Sequence, residues 1–82
     1  MDQFVEYAVQ ISYDKETDQV VAEVPTLDIA DYGPTVEEAM GSLREMVAFH
    51  LECLLEEGSA IPPSDASNEG YFIRTTVPSR AA

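Results

Sequence analysis

The chain has 82 residues, room for one domain and not for a second. Sixteen Asp and Glu against four Lys and Arg leave a formal charge of −12, which disfavours phosphate backbones and anionic membrane surfaces as direct partners. Hydrophobic residues make up 45%, enough for a folded core, so the acidity belongs to a globular domain rather than to a disordered tail.

Residues 4–12 alternate, with Val5, Tyr7, Val9 and Ile11 on one face and Glu6, Ala8, Gln10 and Ser12 on the other. That period of two predicts a half-buried strand. A polar stretch over 14–19 leads to residues 20–24, rich in β-branched side chains and closed by Pro25, so the two runs read as a hairpin. Residues 27–32 fit a short third strand ahead of the breaker pair Gly33-Pro34.

Thr35 and Glu38 have the spacing of a capping box before an apolar-periodic run. The helix is expected over 35–57, with Gly58 ending it in the left-handed conformation. At about 100° per residue, Val36, Ala39, Met40, Leu43, Met46, Val47, His50, Leu51 and Leu54 share one stripe. Ile61-Pro62-Pro63 stops further helix, and 64–70 reads as a loop. Residues 71–77, aromatic and β-branched, make the last strand, and Pro78 onward reads as a frayed tail. The expectation is one α+β domain over 1–82: a two-layer β-β-β-α-β arrangement, with one long amphipathic helix packed on an antiparallel sheet.

The only cysteine, Cys53, can form no internal disulfide. The opening Met-Asp-Gln-Phe-Val-Glu lacks the basic and apolar regions of a signal peptide, and no apolar run reaches membrane-spanning length. A soluble cytoplasmic protein is expected.

Motifs for chemistry are weak. The run Asp14-Lys-Glu16-Thr-Asp18 begins like a calcium loop, but Gln19 replaces the required glycine and Pro25 the closing glutamate. His50 and Cys53, the only imidazole and thiol, lie three residues apart on the helix. No third triad member or oxyanion turn accompanies them, so they read as packing residues. The glycines are isolated, without a phosphate-cradling loop. No enzyme, metal or cofactor is expected.

Two helix faces remain. Glu38, Glu45 and Glu52 recur every seven residues and Glu56 continues the ridge. Arg44 has no acid three or four positions away, so no helix ion pair offsets the charge. Glu52 and Glu56, like charges four apart, cost about 0.2–0.5 kcal/mol. The ridge reads either as a solubilising surface or as a docking face for a basic partner. Beside it, Ser42, Met46, Phe49 and Cys53 line one flank of the stripe. The sheet covers this flank, or Met46, Phe49 and Cys53 form an oligomer interface. Gly41, mid-helix and outward, costs about 1 kcal/mol against Ala, and would admit close approach of another chain.

Several strings resemble the HicB-like antitoxin family over residues 5–63: Tyr7-Ala8-Val9-Gln10-Ile11, Val21-Ala22-Glu23-Val24-Pro25, and Leu27 with Gly33-x-Thr35. Thr35-Val36-Glu37-Glu38-Ala39, Ser42-Leu43-Arg44-Glu45, Leu51-Glu52, Glu57-Gly58 and Ile61-Pro62 complete the set. The Pro-Gly-Cys turn common in that family is replaced by Asp28-Ile29-Ala30-Asp31. The resemblance implies a β-β-β-α-β domain that neutralises a basic ribonuclease toxin, HicA, and assembles as a dimer or higher oligomer. Many members add a C-terminal DNA-binding module; the form expected here lacks it. The functional expectation is a non-enzymatic antitoxin-like binding module docking a basic HicA-like toxin through Glu38, Glu45, Glu52 and Glu56. The alternative is an orphan homo-oligomer without a toxin partner.

Overall fold

A computed structural model describes residues 3–67 and 69–77. Strand β1 (Phe4–Asp14) turns into β2 (Gln19–Val24), and a single 3-10 turn, Pro25–Leu27, precedes β3 (Ile29–Gly33). Helix α1 (Val36–Glu56) and strand β4 (Tyr71–Thr76) follow. The four strands form one antiparallel sheet in the order β3-β2-β1-β4, and α1 packs on one face of it. The small α+β architecture expected from the sequence is therefore present. The expected tail from Pro78 lies outside the described residues.

Local chemistry explains each junction. The Asp14 carboxylate accepts from Glu16 N–H at 3.0 Å and Asp18 takes a left-handed conformation, φ 57°, so the carboxylates of this run shape a hairpin turn. Pro25 closes β2, and Asp28, also left-handed at φ 55°, donates its N–H to Pro25 O at 3.1 Å. That turn divides the expected third strand: Leu27 is buried beneath it, and only Ile29–Gly33 pairs with β2.

The helix begins as expected. Thr35 is extended and its Oγ1 accepts from Glu38 N–H at 3.1 Å. It ends in a paired closure: Gly58, at φ 75°, donates to Leu55 O at 3.1 Å and Ser59 donates to Leu54 O at 2.9 Å, the geometry of a Schellman motif.

Ala39, Leu43, Val47 and Leu51, all at 0% exposure, meet Tyr7, Ala22, Val24 and Ile73 of the sheet, equally buried. The helix seats this i, i+4 row centrally, so Met46 and His50, within the expected stripe, fall to its side and are only half-buried. Gly33 ends β3 against the helix start: a Cβ there would lie 2.9 Å from Ala39 N. No helix among the described residues is long and apolar enough to cross a membrane.

Candidate functional site

Helix α1 presents the acidic ridge to solvent. Glu38, Glu45, Glu52 and Glu56 are all exposed. Among the described residues the single salt bridge joins Arg74 Nε to Glu6 Oε2 at 2.8 Å on the sheet, so none of their cations forms an ion pair with the ridge. Its two ends differ. Glu37 and Glu38 occupy the first turn, where the positive end of the helix dipole favours them. Glu52 and Glu56 approach the negative end, and the last turn carries no basic residue. The C-terminal half of the ridge therefore opposes the local electrostatics that Glu38 satisfies.

Along the flank, Phe49 is 66% exposed. Met46 and Cys53 are half-buried and Ser42 is exposed. The sheet therefore leaves the aromatic uncovered and shields its neighbours in part. The three residues expected at an oligomer interface share one accessible strip, next to the ridge. Gly41 has open space where its Cβ would be: apart from its chain neighbours and the surrounding helix backbone, no described atom lies within 4 Å. Among the described residues no hydrogen bond joins His50 to Cys53.

The sequence reading missed a second apolar region. Phe4, Tyr13, Tyr32, Tyr71 and Phe72 are also exposed, between 45% and 64%; of the seven aromatics, only Tyr7 enters the core. By strand alternation, Phe4, Phe72 and Tyr32 lie on the sheet face opposite the helix, with Glu6, Ala8 and Arg74. Arg74 sits 5.8 Å from the Phe4 ring centroid, a cation–π contact. Beside Phe72, a shallow depression of 320 Å³ is lined by Glu6, Ala66, Ser67 and Gly70.

The segment 61–67, read from sequence as a helix stop at 61–63 and the start of a loop over 64–70, is a structural clamp. Where β2 ends at Val24, it takes over the edge of β1. Asp65 and Ala66 donate to Glu6 O at 2.9 and 3.1 Å, and Glu6 N–H donates to Ser64 Oγ at 2.9 Å. Asp65 accepts from Ala8 N–H at 2.9 Å and from the Thr26 hydroxyl. Tyr7 donates its hydroxyl to Pro62 O at 2.7 Å. Burial, and secondarily the Asp65 carboxylate, raise the Tyr7 pKa above the usual tyrosine range. Ser, Asp and paired prolines after a helix were the available signal, but nothing in their spacing names Glu6 and Ala8 as partners.

No protein-family model, curated protein or solved structure matches this chain.

Proposed function

We propose that the protein is a non-enzymatic binding module whose acidic helix ridge docks a small basic protein, in the manner of a HicB-like antitoxin neutralising a HicA-like ribonuclease toxin. The observation carrying this reading is the ridge itself: Glu38, Glu45, Glu52 and Glu56 are exposed and have no cationic partner among the described residues. Charge held unpaired at the unfavourable end of a helix costs the fold a few tenths of a kcal/mol. A basic partner would recover that cost and associate faster under electrostatic attraction. The resemblance of residues 5–63 to HicB-like proteins supplies the toxin as the specific partner, and the cytoplasm as the place of action belongs to the same proposal.

A second reading, an orphan homo-oligomer, draws support from the 66% exposure of Phe49 beside Met46 and Cys53.

The decisive experiment expresses the chain with a short basic protein encoded in an adjacent reading frame. Co-purification at about 0.1 M salt, lost near 1 M where the Debye length falls from about 10 Å to about 3 Å, supports docking by charge. Undiminished binding by a Glu38→Gln/Glu45→Gln/Glu52→Gln variant would remove the ridge from the proposal. Absence of any basic neighbour, together with self-association lost in Phe49→Ser, would favour the second reading.

A further inference from the structure

We infer that Phe49 is the centre of the docking face on α1 and that it receives an arginine side chain of the basic partner. The inference rests on the docking reading above and names the group that the partner must present.

Helix spacing sets the surroundings of the ring. The surface neighbours of a helical residue stand three and four positions away, with Cβ atoms about 5–6 Å apart. For Phe49 these are Glu45 and Glu52 on the ridge side, and Met46 and Cys53 on the flank side. Two carboxylates therefore border the ring on one side and two soft, apolar side chains on the other. Glu56, about a turn beyond Glu52, extends the acidic border. Glu45, Glu52 and Glu56 are exposed, Met46 and Cys53 are half-buried, and Phe49 itself is 66% exposed. Among the described residues the one cation–π contact is that of Arg74 with Phe4, so the Phe49 ring stands open.

Neither the helix nor solubility accounts for this ring. A single exposed apolar residue is ordinary, but phenylalanine is a poorer helix former than alanine, glutamate or lysine. A ridge kept acidic for solubility gains nothing from an exposed aromatic at its border. A cation is what suits a ring face and carboxylates together. The ring attracts it through its quadrupole, and the carboxylates accept its N–H groups.

Charge and shape select the occupant. A second copy brings a charge of −12, and a twofold contact through Phe49 would set Glu45 and Glu52 of both copies against each other. A basic partner relieves that charge instead. Arginine suits the site better than lysine. Its flat guanidinium stacks on a ring while its fork of donors addresses a carboxylate; the lysine ammonium is a compact, strongly hydrated point charge. The methylene stem of the arginine would lie along Met46 and Cys53. A cation that reaches Glu56 also meets the negative end of the helix dipole.

The test titrates the whole chain with two labelled peptides of equal length and charge, one built on arginine and one on lysine. At about 0.1 M salt, where exposed charges still attract over about 10 Å, both should bind. The arginine peptide should bind about two- to fivefold more tightly and shift the Phe49 ring protons. Phe49→Leu should lose that preference while still binding both peptides by charge, and Phe49→Tyr should keep it. Circular dichroism checks that each variant is folded. If Phe49→Leu fails to fold, the wild-type ring protons decide: a shift with the arginine peptide supports the inference, and an unmoved ring overturns it. Equal affinities for the two peptides, or a preference that survives Phe49→Leu, would also overturn it and leave docking by charge intact. Binding of neither peptide would remove the ridge as a docking face, and this inference with it.

Discussion

The two sides of α1 obey opposite rules. On the sheet side, Ala39, Leu43, Val47 and Leu51 lose all contact with water, and each is a residue a helix core would choose. On the solvent side, Glu45, Glu52 and Glu56 are exposed, unpaired among the described residues, and increasingly opposed by the helix dipole toward the C-terminus. The same 21-residue helix thus carries a surface that the fold requires and one that the fold alone does not explain. Changes to the first should be read in stability and changes to the second in binding.

The largest effect should come from the buried row. Leu43→Ala should cost about 2–5 kcal/mol by lost transfer energy and the cavity left behind, enough to threaten a domain of this size. A denaturant titration measures it, and a loss below about 1 kcal/mol would mean that the helix is not seated on the sheet as described.

Two glycines sharpen the contrast next. Gly33→Ala should destabilise by about 1–3 kcal/mol, because its Cβ would press on Ala39 N and the Glu38 side chain. Gly41→Ala meets open space on the outward side and should stabilise by about 0.4–1 kcal/mol. Opposite signs in thermal melts are the expected outcome; equal signs would contradict the assignment of inner and outer sides.

A comparably modest effect tests the clamp that holds 61–67 to the sheet. Tyr7→Phe removes the hydrogen bond to Pro62 O and should cost about 0.5–1.5 kcal/mol at neutral pH. Because the folded-state pKa of Tyr7 is raised, its contribution is fully present below the unfolded value near 10 and is lost as pH rises through the higher folded value. The wild-type chain should therefore weaken more steeply than Tyr7→Phe above about pH 10. Parallel alkaline melting curves for the two proteins would show that this phenol does not drive the loss.

Much of the architecture was legible because it is written in local chemistry. The alternation in β1, the Thr35 cap, the helix stripe and Gly58 each depend on residues within a turn or two of one another. The ridge was legible for the same reason, since seven-residue spacing puts Glu38, Glu45 and Glu52 on one helix side without knowledge of the sheet. The third strand was blurred because Asp28 could have been extended; only the 3-10 turn bonded to Pro25 O separates Leu27 from Ile29. His50 was placed too centrally because a helical wheel does not say which row the sheet will seat.

By itself, then, the sequence determined the α+β class, the helix and its caps, and an acidic ridge, all products of periodicity and short-range hydrogen bonding. Tertiary structure decided the rest. It set Asp65 and Ser64 against Glu6 and Ala8, more than fifty residues away, left Phe49 and the sheet aromatics uncovered, and ordered the strands β3-β2-β1-β4. Those outcomes depend on which strand lies beside which and where each one stops, and long-range pairing of that kind leaves no local period in the chain.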